Sequence, residues 1–152
     1  MFITGLLAGT ILSGVIFFFV FSKMMFTVSE SKYSFDQTAE IITEKVKEHN
    51  WSMPHQYDLQ QTMAKHGFEV KPVKVFSICK PDVAVGILGN DNSRHISSMM
   101  PCRISIYEKA DGKTYVSRMN AGFLSKLMGG KAIAIMGEAG TGSEDILKSV
   151  VK

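Results

Sequence analysis

The first 22 residues, MFITGLLAGTILSGVIFFFVFS, hold no ionisable side chain, and every charged residue of the 152-residue chain lies from Lys23 onward. As a helix this stretch would rise about 33 Å, close to the roughly 30 Å hydrocarbon core of a bilayer. A secretory signal would show a basic start, a shorter apolar core and a small-x-small cleavage site. None of these is present. A buried core helix would need cover on every side, more than a body of this size supplies. The head therefore predicts a transmembrane anchor over residues 1–23, with one soluble α/β domain over residues 24–152. That places the chain in the cell membrane as a single-pass protein, with the lipid bilayer as a partner. Gly5, Gly9 and Ser13 recur every four residues and form a smooth stripe on which two helices pack closely. The stripe suits a homodimer or a place in a larger membrane complex. Lys23 and Lys32 on the C-terminal flank alone favour a cytoplasmic body.

The remainder alternates strand-like and helix-like segments. Residues 26–33 are β-like, and Ser34-x-x-Gln37 fits a capping box that starts a helix. Phe35, Ala39, Ile42 and Val46 follow at helical spacing, with Asn50 near the end. A β-prone WSMPHQYDL, a short helix closed by Gly67, a strand over residues 73–79 and a helix opened by Pro81 come next. GNDNS is a loop. Cys102–Glu108 and Thr114–Met119 flank an Asp-Gly turn, a strong hairpin signal. The chain then predicts a helix interrupted at Gly129-Gly130. A second capping box, Thr141-x-x-Glu144, is predicted to start a terminal helix.

Several function classes are excluded by pattern. The net charge is +3 with acids and bases interleaved, so no basic footprint for nucleic acid exists. GEAGTGSED imitates a phosphate loop but lacks its Lys-Ser/Thr, and two carboxylates follow its last glycine. No nucleotide is expected there. His49 and His66 sit at predicted helix ends, where positive charge is favoured. His55 and His95 lie in less regular segments and stay open as metal ligands. The ten methionines are scattered, which favours packing over a metal repeat.

The cysteines carry the sharpest expectation. Cys79 precedes the helix beginning at Pro81, whose free N–H groups would lower the thiol pKa. Cys102 opens a strand in which Cys102, Ile104 and Ile106 share a face. If the two strands are neighbours, both thiols reach one sheet edge. A disulfide between them would contribute roughly 3 kcal/mol by loop entropy and would need an oxidising compartment. Reduced, Cys79 and Cys102 with His55 and Met100 offer soft ligands for copper or haem. Simple burial as small hydrophobes is the third reading. No catalytic constellation is visible, and there is no C-x-x-C.

The segments YSFDQTAEIITEKVKEHNW, YDLQQTMAKHG, VKVFSICKPDVA and MMPCRISIYEKADGKTYVSRMN resemble, in order and spacing, the family called domain of unknown function 302. The resemblance covers about residues 30–120; residues 121–152 are read as helices from pattern only. Cys79, Pro81, Pro101, Cys102, Arg103, Tyr107 and Gly112 match its signature. It implies a two-layered α+β domain of TATA-binding-protein-like architecture, a compact antiparallel sheet with helices on one face, in a dimer. It assigns no activity. Together these features lead to a membrane-anchored ligand-binding or accessory module, with Cys79, Cys102 and Arg103 at the ligand site. A structural subunit of a membrane complex and a thiol redox protein are the alternatives. The anchor and similar family members favour an extracytoplasmic body, against the lysine count.

Overall fold

The computed structural model describes residues 2–128 and 130–152, with side chains over residues 12–21, 23–126 and 133–152. The elements in order are α1 (Phe2–Met24), β1 (Phe26–Glu30), α2 (Phe35–Glu48), β2 (Ser52–Asp58), α3 (Leu59–Lys65), β3 (Val73–Cys79) and α4 (Pro81–Leu88). A 3₁₀ turn (Arg94–Met99), β4 (Cys102–Glu108), β5 (Thr114–Met119), α5 (Ala121–Met128) and α6 (Gly130–Leu147) follow. The strands form one antiparallel sheet in the order β1-β5-β4-β3-β2. The domain is thus a two-layer α+β fold.

Period-two alternation sets the layers. Ile104, Ile106, Phe76, Ile78 and Val116 point to one face and are buried. On that face α2 contributes Phe35, Ile42 and Val46, and α6 contributes Ile146 and Leu147. Each fully buried side chain of this kind contributes about 1.5–3 kcal/mol relative to exposure. The start of α2 is fixed as its sequence predicts. The Ser34 N–H and hydroxyl both donate to Gln37 Oε1, at 3.4 and 3.0 Å. His49 and His66 cap the C-terminal ends of α2 and α3. Asn50 and Gly67 take positive φ just beyond, at 57° and 79°. A polar staple joins the layers on the same side. Arg118, 6% exposed, donates from Nε and Nη2 to both oxygens of Glu144 at 2.8 and 2.6 Å. Its Nη1 donates to Ser29 Oγ at 2.9 Å.

Among the described residues, the opposite face is the less buried one. Its residues are half-buried or exposed along β1, β4, β5 and β2. Register arranges them in rows. His55, Ser77, Arg103, Met119 and Phe26 form one row across all five strands. Tyr57, Val75, Ser105, Ser117 and Val28 form the next.

Two expectations require correction. Among the described residues, no helix is long and apolar enough to cross a membrane. The end of α1 also belongs to the domain, since Phe21 packs edge-on against Phe123 of α5 at 5.4 Å. The transmembrane anchor, the single-pass membrane localisation and the extracytoplasmic assignment built upon it are therefore withdrawn. Of the small-residue stripe, Ser13 is exposed; Gly5 and Gly9 lie outside the residues whose surroundings are described.

The terminal helix does not begin at Thr141. α6 runs unbroken through GEAGTGSED, where the Thr141 hydroxyl donates to Gly137 O at 3.1 Å, one helical turn back. Tertiary contact explains the glycines. A Cβ on Gly140 would stand 2.6 Å from Ala121 Cβ, and one on Gly142 would stand 2.7 Å from Trp51 Cζ2. These residues let α5 and Trp51 approach the helix rather than forming a loop. The predicted interruption at Gly129-Gly130 falls on Gly129, which lies outside the described residues.

Candidate ligand site

β3 and β4 are sheet neighbours, and Cys102 pairs in register with Ile78, one residue from Cys79. Both cysteines line the same void, with Met99, Met100, Ile87 and Met136. They are not bonded; both are free thiols. Burial pushes each pKa up, and for Cys102 the nearby Cys79 adds to the effect. This reverses the lowering expected for Cys79 from the α4 N-terminus, because loss of water outweighs the helix field at the half-buried strand end. The void holds about 30 Å³, the room of roughly one water. Ligand pockets commonly measure about 300–1,000 Å³, so this void is far smaller than one.

The metal set also comes apart. Among the described residues, no group of three or more His, Cys, Asp and Glu side chains could hold a metal ion. Cys102 shares the helix-covered face with Ile78 and Ile104, whereas His55 opposes Ser77 and leaves the other face. Alternation along the strand separates these candidate ligands by the thickness of the sheet. The expected bonded cysteine pair is corrected accordingly, since both thiols are free. His95 lies exposed in the 3₁₀ turn.

A larger concavity lies on the open face. It has a volume of about 530 Å³ and is lined by Phe26, Val75, Met99, Met119, Arg103 and the hydroxyl residues Ser105 and Ser117. Met99, Met100 and Pro101 wall both this groove and the cysteine void. Of the sequence candidates, Arg103 and Met100 are therefore at the groove, Cys79 and Cys102 behind it, and His55 in the same sheet row as Arg103. Arg103 is exposed and makes no hydrogen bond or ion pair with any described residue. By contrast, Arg118 and Arg94 are both paired.

Sequence reading missed the groove and missed Ser77. Ser77 is 1% exposed, and its Oγ has no hydrogen-bond partner. A serine inside VKVFSIC, between Phe76 and Ile78, was the available signal. Its place between His55 and Arg103 depends on a register shift between Ser52 and His55, which no local pattern discloses.

The fold has solved relatives. A crystal structure of an uncharacterized conserved protein DUF302 from Bacillus stearothermophilus matches with a TM-score of 0.73. It is 17% identical, and the alignment covers 83% of this chain and 98% of that one. A comparison with curated proteins finds no match. The family described as domain of unknown function DUF302 matches residues 26–150, from the first strand to the end of the core helix α6 and beyond. The chain belongs to the DUF302 family.

Proposed function

We propose that the domain is a binding module for a small molecule whose apolar body lies in the open-face groove. The observation that carries this reading is a groove of about 530 Å³, within the range of small-molecule pockets, with an unpaired guanidinium at its wall. Apolar groups from three strands and the 3₁₀ turn supply contact area, and Arg103 supplies a single fixed charge. That pattern, mostly apolar with few oriented polar groups, gives orientation without a large desolvation cost.

An anilinonaphthalene sulfonate, which has an apolar body and one negative charge, tests the proposal directly. We expect saturable one-to-one fluorescence enhancement, weakened about tenfold by Arg103→Ala through loss of a charged contact. Ser105→Trp would fill the groove from a half-exposed position, and binding should disappear. Unchanged probe binding in folded Ser105→Trp would overturn the proposal.

Phe26 and Val28 are 54% and 48% exposed on this same face, which favours a second reading, a homodimer closed through the open sheet. Such a dimer would cover the groove. Sedimentation equilibrium separates the two readings: the binding module stays monomeric with the probe bound, and the dimer excludes the probe as concentration rises.

A further inference from the structure

We propose that the row His55–Ser77–Arg103 is an oxyanion seat, which takes the carboxylate or phosphate end of the molecule held in the groove. This deepens the groove reading and rests on it for the ligand's apolar part, but the seat has its own observations. Ser77 is the register partner of His55 on one side and Arg103 on the other. Directly opposed residues of an antiparallel sheet leave the same face, and adjacent strands lie about 4.8 Å apart. The three side chains therefore span roughly 10 Å, with the serine central. Among the described residues, the Ser77 hydroxyl is the buried side-chain polar atom left without a hydrogen bond. Such a group costs about 1–3 kcal/mol when left unsatisfied. Arg103 and His55 are both exposed and neither makes a hydrogen bond or ion pair with a described residue. Three unused donors thus lie in one row of the sheet.

The surrounding charge agrees. The two rows nearest the seat contain no carboxylate. In the row after those, Glu30 stands at the β1 edge opposite Tyr115. It is already held by Lys113 and Lys152. An anion above Ser77 meets no negative neighbour. A guanidinium fork can grip two oxygens, and the hydroxyl and imidazole N–H can each donate to the same group. Met119 and Phe26 continue the row on the far side of Arg103, and all three line the groove, so a molecule held by Arg103 extends into its apolar part.

The test is titration of the whole chain with inorganic phosphate and, separately, with acetate, followed by amide and side-chain NMR shifts. Saturable shifts centred on His55, Ser77 and Arg103 with either anion are expected. Ser77→Ala should weaken that binding about tenfold, the scale of one charge-assisted hydrogen bond. It should leave thermal stability equal or higher, since it removes an orphaned hydroxyl. Arg103→Gln should abolish binding. Absence of saturable shifts at this row with both anions, or unchanged affinity in Ser77→Ala, would overturn the seat. Ser105→Trp keeps the two proposals apart. Anion binding that survives that substitution supports the seat whatever becomes of the apolar probe.

Discussion

Removing the carboxylate of Glu144 should destabilise the protein more than removing the guanidinium of Arg118, although the same ion pair is lost. The two partners differ in exposure: the Arg118 side chain is 6% exposed and that of Glu144 46%. Glu144→Ala leaves a cation inside the sheet–helix interface, where its remaining partner is Ser29. Breaking a fully buried pair from one side costs about 3–5 kcal/mol. Water reaches the Glu144 side, so the expected loss is lower, about 2 kcal/mol. Arg118→Met removes the buried charge and keeps an apolar stem, while Glu144 turns to solvent. That change should cost under about 1 kcal/mol, as replacement of buried charges by apolar groups often does. Urea unfolding reads the difference. With a slope near 2 kcal/mol/M, Glu144→Ala should lower the midpoint by about 1 M and Arg118→Met by less than half as much. Equal midpoints, or a greater loss in Arg118→Met, would refute the claim that the asymmetry of burial controls the pair.

Two further outcomes follow from the same structure. Gly142→Ala places a Cβ 2.7 Å from Trp51, whereas Gly137→Ala meets nothing within 4 Å. Overpacking at Gly142 should cost about 1–2 kcal/mol net of helix propensity, while Gly137→Ala should gain about 0.5–1 kcal/mol; thermal melts of both variants check this. The raised thiol pKa values give an alkaline dependence. Below the ordinary thiol value of 9.0, the thiols are neutral in both states and their contribution is constant. Above it the unfolded chain loses protons first, so stability falls as pH rises. Urea midpoints measured from pH 8 to 10 should decline, and Cys102→Ala should flatten the decline.

The hairpin was legible because its signals are local. Asp111-Gly112 sets the turn, and alternation from Cys102 to Met119 sets the faces, so β4 and β5 have the predicted bounds. The helix starts at Ser34 and Pro81 were legible for the same reason. GEAGTGSED misled because a glycine that admits Trp51 looks, in sequence, the same as a glycine that frees a loop. The cysteine expectation had the right neighbourhood, since β3 and β4 do adjoin. The thiols are nevertheless unbonded, and alternation sends His55 to the face opposite Cys102. The anchor expectation rested on length and apolarity alone, neither of which registers the packing of Phe21 on Phe123.

What separates the two faces of the sheet is how completely each satisfies its own groups. On the helix-covered face, Thr38 pairs with Ser31 at 2.7 Å, and Arg118 uses three of its nitrogens. Cys102 lies among apolar neighbours that suit a small, weakly polar side chain. Packing alone accounts for every one of these residues, the thiols included. The open face breaks that consistency in one row. Alanine at Ser77 would fill nearly the same space without stranding a hydroxyl, and a neutral residue at Arg103 would fold as well without an unpaired charge. Stability does not call for either residue, and a sequence that specifies its fold this consistently elsewhere tends to depart from it where it binds something. The departure lies at Ser77 and Arg103, on the far side of the sheet from the half-buried Cys102.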